Sequence, residues 1–299
     1  MTAGTRPPAT PTSRVKRIVG KIRRHPDAAA PATKPAAAPE TDLWNTAYDA
    51  LKTNLSTAGL VHAYESILSG NGVDGGPAGL PGGTPGRLEV MTAVVETGLA
   101  RELSTKSDAG DDMARNLLVD ARETVASLLD THPGAAIAWA GVCSLTPLLL
   151  DPLLRHQDTA QAFLYLTANI PRFTSLPQIL HQRAWLHQRD YLRLREHTRD
   201  AVLALCRRVL ECEMNCVCAA ASAWNRAARN VVDWHGWQAM ANRMREADEE
   251  LARDVEQYAT EEVRALLRRD GEAVRASLSG SDAGNSSDVG VGVGPGGRG

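Results

Sequence analysis

The sequence predicts an all-α protein, a multi-helix bundle built around one central apolar helix. Apolar residues recur at helical spacing in nearly every segment between residues 43 and 269. No segment shows a convincing alternation of apolar and polar residues, which a half-buried strand would require. The segment 133–150 carries no charge, and a segment that is apolar on all of its faces must be buried on all of them.

Nine helices are predicted along the chain, and the last two are long. They are 43–55, 60–68, 88–103, 111–129, 133–150, 157–170, 177–188, 191–224 and, approximately, 233–269. Thr41 or Asp42 offers an N-cap to the first of them, because both side chains can accept a hydrogen bond from a free backbone N–H. Pro171 and Pro177 separate the two short helices. The last helix carries apolar residues close to a 3.5-residue repeat, which favours packing along its whole length.

The segment 133–150 has two interpretations, a central core helix or a membrane span. Its uncharged part is at the short end of the length that crosses a bilayer, and Pro147 lies inside it. Neither flank carries the Lys, Arg or aromatic anchors of a membrane crossing. The pattern therefore favours the central core helix.

Composition divides the chain into three regions. Residues 1–40 are rich in Ala, Pro and Thr, and residues 271–299 are rich in Gly and Ser. Neither region has enough apolar bulk to offset the entropy of ordering, so both are predicted to be disordered. The region 41–270 is then one helical domain, in which the Gly/Pro-rich stretch 70–86 is an inserted loop.

Charge is distributed unevenly along the chain. The net charge is −2, but residues 1–39 hold eight of the 33 Lys and Arg residues and only one acid, Asp27. The rest of the chain therefore has a net charge of −9. An acidic domain argues against nucleic acid as a partner.

The basic N-terminal region contains an amphipathic pattern between residues 13 and 25. Val15, Ile18, Val19 and Ile22 have the spacing of one helix face, and basic residues occupy the other positions. This pattern is typical of contact with an anionic membrane or a partner protein. The alternatives are a solvated tail and a mitochondrial presequence, since the first 26 residues contain no acid. The candidate contact residues are Arg14, Lys16, Arg17, Ile18, Lys21, Ile22, Arg23 and Arg24.

No catalytic, cofactor-binding or metal-binding residues are predicted, so we expect a protein that is not an enzyme. The glycines at 70, 72 and 75 spell G-x-G-x-x-G, but a predicted helix precedes them where a nucleotide-binding fold needs a strand. Cys212 and Cys216 could supply two zinc ligands, but no His or Cys pair at ligand spacing completes the site.

The five cysteines are odd in number and favour a reducing, intracellular compartment. Cysteines on the apolar stripe of a helix are expected to pack in the core. The residues assigned to the structural core are Trp44, Tyr48, Trp139, Val142, Cys143, Cys212, Cys216, Trp234, Trp237 and Tyr258.

Four stretches, in chain order, resemble one family. They are LWNTAYDAL with LVHAYESILS (43–51 and 60–69), HPGAAIAWAGVCSLTPLLLDP (132–152), CEMNCVCA (212–219) and VVDWHGWQAM with EADEELARDVEQY (231–240 and 246–258). The chain from about residue 43 to 269 is similar to the N-terminal domain of fungal NWD/NACHT-type NTPases, which are NOD-like receptors of the signal-transducing ATPase class.

The resemblance implies an all-α signalling domain with protein partners, acting in non-self recognition, heterokaryon incompatibility or regulated cell death. It also implies a nucleotide-binding NACHT module. The sequence lacks the G-x-x-x-x-G-K-[ST] phosphate-binding motif, so we expect that module downstream or in another chain. The expected location is the cytoplasm, with a peripheral membrane position or a mitochondrial location left open. The alternative function is a peripheral membrane or mitochondrial helical protein, targeted by its basic N-terminus.

Overall fold

The computed structural model describes residues 39–72, 84–100, 112–154 and 157–268, and these residues form an all-α fold. The predicted fold class is confirmed, and no strand occurs within the described ranges. The α-helices are α1 (Pro39–Thr53), α2 (Ala58–Gly72), α3 (Thr84–Ala100), α4 (Asp112–Leu128), α5 (Gly134–Leu154), α6 (Gln157–Ala168), α7 (Ile170–Ser175), α8 (Gln188–Ala221), α9 (Arg226–Val231), α10 (Trp237–Glu256) and α11 (Glu261–Arg268). Two short 3-10 helices, Leu176–Leu180 and Gln182–Ala184, lie between α7 and α8.

Helix α5 lies at the centre of the bundle, packed against α3 and α8. Residues 134–144 are all buried. Two glycines allow the close approach of its neighbours. A Cβ on Gly98 of α3 would stand 2.3 Å from the Cys143 carbonyl oxygen, and a Cβ on Gly141 would stand 2.6 Å from Val217 Cγ2. Among the described helices, none has the combined length and apolar character that crossing a membrane requires.

Helix α8 is the longest element, with 34 residues or about 50 Å at a rise of about 1.5 Å per residue. Its first ten residues are mostly exposed, and from Thr198 onward one face is buried. The last turns are buried on nearly all sides, because α1, α2, α5, α6 and α10 all pack against this helix.

Two predicted helices were wrong. The predicted helix 177–188 is replaced by the two 3-10 helices, and the predicted helix 233–269 is divided into α10 and α11. The division has a hydrogen-bonding cause. The Leu186 N–H donates to the Tyr258 carbonyl oxygen at 2.9 Å, and the Thr260 N–H donates to the Ala184 carbonyl oxygen at 3.0 Å. The backbone at 258–260 is therefore paired with an extended segment instead of continuing a helix.

The short helix α9 was not predicted. The predicted loop 70–86 is entered by helices from both sides, because α2 ends at Gly72 and α3 begins at Thr84. Asn225 starts α9 as its N-cap, with its side chain accepting a hydrogen bond from the Ala228 N–H at 3.1 Å. The predicted disordered segments 1–40 and 271–299 lie outside the described residues, apart from the first two residues of α1.

Candidate interaction surface

Most residues that the sequence assigned to the core are buried in the structure. Tyr258 is half-buried and packs against the core. Trp234 is an error of prediction, because it lies in the connection between α9 and α10 and is 41% exposed. The buried members are Trp44, Tyr48, Trp139, Val142, Cys143, Cys212, Cys216 and Trp237. The basic candidate residues between 14 and 24 lie outside the described residues.

The cysteines are enclosed in the core as free thiols. Burial raises the pKa of the Cys143 and Cys218 thiols to about 12. The pKa of the Cys216 thiol is also raised; the larger cause is a hydrogen bond with Cys212, and the second is burial. Nucleophiles and metal ligands use the thiolate, whereas these groups are held as thiols. In the part of the chain that the structure describes, no three His, Cys, Asp or Glu residues are grouped as a metal site would need.

A buried carboxyl group joins α8 to α5. Glu213 Oε1 accepts hydrogen bonds from the backbone N–H groups of Gly141 at 3.0 Å and Val142 at 3.2 Å. Its other oxygen, Oε2, has no hydrogen-bond partner among the described residues. Burial raises the pKa of Glu213 well above its ordinary value, because the ionised form is disfavoured away from water.

A second polar group joins α1, α2 and α3. The Tyr48 hydroxyl donates to Glu65 Oε1 at 3.1 Å, and Lys52 Nζ donates to the same oxygen at 2.7 Å. The Arg87 guanidinium lies 4.4 Å above the Tyr48 ring and donates to Asn45 Oδ1 at 3.0 Å. These contacts fix the relative positions of the three helices.

A buried ion pair joins α7 to α10. Arg172 Nη2 donates to Asp248 Oδ1 at 2.6 Å, and both side chains are buried. Burial raises the pKa of Asp248 to about 6 despite the neighbouring guanidinium. This pair, Glu213 and all members of the second group except the exposed Lys52 are enclosed between helices. We therefore assign all three groups to the positioning of helices.

Exposed apolar side chains identify the candidate surface. Leu186 and Leu192, at the N-terminal end of α8, are 51% and 66% exposed. Trp224 and Trp234, which follow its C-terminal end, are 52% and 41% exposed. Large apolar groups that remain in water are candidates for contact with another surface.

We call Trp224, Arg226, Arg229 and Trp234 the tryptophan corner. Arg229 holds it together, because Nε donates to the Ser222 carbonyl oxygen at 3.0 Å and Nη2 reaches the Ala223 carbonyl oxygen at 3.4 Å. Trp234 Nε1 donates to the Arg229 carbonyl oxygen at 3.4 Å. Ala228 and Val232 lie between these residues in the chain, and their burial anchors the corner to the domain.

Leu55 lies at the same end of the bundle as the tryptophan corner. It is 99% exposed in the turn between α1 and α2. Gly59, one turn further along, lies against α9, where a Cβ would be 3.6 Å from Val231 Cγ1. Neither Leu55 nor Trp224 was predicted to be a surface residue. The one available signal was polar flanking sequence, Thr53-Asn54 before Leu55 and Asn225 after Trp224.

Comparison with known proteins identifies the family. A family model described as the N-terminal domain of NWD NACHT-NTPase matches residues 40–273. The chain belongs to this family. The matched range of the NWD NACHT-NTPase N-terminal domain includes α2 to α11 and nearly all of α1, and therefore the tryptophan corner and Leu55. No curated protein and no solved structure matches the chain.

Proposed function

We propose that this protein is a non-enzymatic helical signalling or effector domain of a fungal NOD-like receptor, acting in non-self recognition, heterokaryon incompatibility or regulated cell death. The observation that carries the proposal is the family match over residues 40–273, which spans almost the whole described fold. The match supports a signalling domain of the NOD-like receptor type. Its biological pathway is part of the proposal.

The proposed mechanism is clustering. A NACHT module, downstream or in another chain, assembles and brings several copies of the helical domain together. Linked weak contacts then act at a high effective concentration, so a surface that binds poorly in one copy binds strongly in a cluster. The tryptophan corner is our candidate for that surface. Protein partners and an anionic membrane are the proposed targets, at a cytoplasmic location, with no nucleic acid or metal involved.

The positions of the two ends of the described domain support this arrangement. Helix α8 runs antiparallel to α10, since His197 Nε2 lies 3.2 Å from Asp254 Oδ2 and Arg208 bonds the Arg243 carbonyl oxygen. Near the start of α1, Asp42 lies 4.0 Å from Arg199 of α8. Helix α11 returns beside the end of α10. Both ends of the described domain therefore lie toward the N-terminal half of α8, away from the tryptophan corner. A module attached at either end would, in this proposal, leave the corner uncovered.

The basic segment 13–25 remains a proposal for contact with an anionic membrane or a partner. The second candidate function, a peripheral membrane or mitochondrial protein, is supported by the same acid-free sequence. Incubation of the full chain with isolated mitochondria separates the two. Import with N-terminal cleavage would support the mitochondrial function, and the absence of import would count against it.

Forced clustering tests the proposed function. The full chain is fused to a module that oligomerises on addition of a small molecule and is expressed in a filamentous fungus. We expect growth arrest or cell death only after the inducer is added, with the oligomerising module alone as the control. Equal growth of clustered and unclustered cells, at equal amounts of folded protein, would contradict the proposal.

A further inference from the structure

We infer that the tryptophan corner, together with Leu55, is a docking surface for an anionic lipid bilayer. The inference rests on the proposed function only in that clustering would strengthen the contact. It concerns a folded surface, and it is independent of the basic segment 13–25.

The apolar side chains at this end of the bundle have the properties that insertion into a bilayer interface requires. Leu55 is 99% exposed at a turn between two helices. Trp224 and Trp234 each leave about half of the side chain in water. Tryptophan favours the lipid–water interface, because its ring is apolar and its N–H is polar. The Trp234 N–H is directed to the Arg229 carbonyl oxygen, so the polar atom is satisfied while part of the side chain remains exposed.

The charge of the corner is complementary to anionic lipid. Arg226 and Arg229 are exposed, and within the described ranges neither forms an ion pair with a carboxylate. The connection between α9 and α10 contains one acid, Asp233, beside Trp234. Helix α10 has the opposite balance, with six acids and three arginines. An asymmetric charge orients a protein in the field of an anionic surface, and here the corner would face the lipid.

The opposite end of α8 has exposed leucines and arginines but, among the described residues, no exposed tryptophan. Leu186 and Leu192 are about as exposed as the two corner tryptophans. Arg193 pairs with Asp190 at 3.3 Å and Arg195 pairs with Glu196 at 2.9 Å, while Arg183 and Arg189 are exposed without an ion pair in the described ranges. This end therefore has similar apolar exposure and positive charge, and it is a matched control for the contribution of the tryptophans.

Co-sedimentation of the full chain with vesicles tests the inference. One set of vesicles contains phosphatidylserine and phosphatidylcholine, and the other contains phosphatidylcholine alone. We expect binding to the first set at low salt and release as the salt concentration rises. The triple variant Leu55→Ser, Trp224→Ser, Trp234→Ser should bind about tenfold more weakly, because apolar insertion is lost. The control Leu186→Ser, Leu192→Ser should bind as the wild type does. Because all five positions are exposed, we expect both variants to fold. Thermal unfolding at the same temperature as the wild type would show that folding is intact.

A second pair of variants separates the corner from the basic segment. Arg226→Glu should weaken binding, whereas Arg193→Glu should weaken it less. Arg17→Glu, Lys21→Glu and Arg24→Glu test the N-terminal segment in the full chain. If the N-terminal charge reversal abolishes binding while the corner variants bind normally, the inference is wrong.

Two other outcomes would also overturn the inference. One is equal binding to both vesicle sets. The other is absence of vesicle binding together with self-association in solution that the triple variant abolishes, which would make the corner a contact between copies of the chain. Cell death on forced clustering would still support the proposed function in either case, so the two failures are distinguishable.

Discussion

Trp139 and Trp234 stand in contrasting environments in the same bundle. Trp139 lies in α5, has none of its surface exposed, and donates from Nε1 to Thr174 Oγ1 at 2.6 Å. Trp234 lies in the connection between α9 and α10, is 41% exposed, and donates to the Arg229 carbonyl oxygen of α9. Helices surround Trp139 on all sides, whereas Trp234 has the domain on one side only. The same residue type therefore supports the fold in one region and is available for binding in the other.

Replacement of Trp139 should give the largest effect on stability. We expect Trp139→Ala to lower the free energy of unfolding by about 3–5 kcal/mol, because it removes a packed aromatic side chain and leaves a cavity. The matched control Trp224→Ala should change it by about 0.5 kcal/mol or less, since that side chain is half exposed. Denaturant titration measures both. Equal losses in the two variants would remove the distinction between the regions.

The Arg172–Asp248 ion pair tests whether buried charge also supports the fold. Asp248→Ala should cost about 3–5 kcal/mol, because it leaves the Arg172 guanidinium buried without its carboxylate. The double variant Arg172→Met, Asp248→Leu should recover most of the loss, since it removes both charges and keeps the volume filled. If the double variant is as unstable as Asp248→Ala, the loss does not come from the unpaired Arg172 charge, and the ion pair itself stabilises the fold.

Glu213 gives a smaller effect that depends on pH. Because burial raises the pKa of Glu213 in the folded state, its stabilising effect is complete below the ordinary pKa of about 4.3 and is lost as the pH rises through the folded pKa. Glu213→Gln removes this dependence and keeps an oxygen to accept from the Gly141 N–H.

We therefore expect the stability of Glu213→Gln, relative to that of the wild type, to rise between pH 5 and pH 8. Denaturant titration at the two pH values measures the change. The contribution of Asp248, whose pKa is raised to about 6, is present in both proteins and cancels in the difference. A constant difference between the two proteins would mean that Glu213 titrates at its ordinary pKa when folded.

Helical periodicity was enough to predict the fold class and the central position of α5. Residues 134–144 carry no charge, and a helix without a polar face has only one stable place in a bundle. The break between α10 and α11 could not be predicted, because periodicity continues through residues 257–260 while their backbone pairs with a distant segment, 184–186. Long-range pairing of this kind leaves no local signal in the sequence.

The candidate surface was less accessible to sequence analysis than the fold. Trp234 and Trp237 are three residues apart at the start of the predicted last helix, and both were expected to pack where two long helices meet. The helix begins only at Trp237, so Trp237 faces the core and Trp234 remains outside. The proximity of Leu55 to this connection depends on the packing of α2 against α9, which the sequence does not encode locally.

Forced clustering of a corner variant tests the central claim most directly, namely that the core tryptophans support the fold and the corner tryptophans support the function. The full chain carrying Trp224→Ser and Trp234→Ser is fused to the inducible oligomerising module and compared with the wild type at equal amounts of folded protein. We expect both fusions to oligomerise, and growth arrest or cell death to follow only in the wild type. Equal growth arrest or cell death in both would contradict the assignment of function to the tryptophan corner.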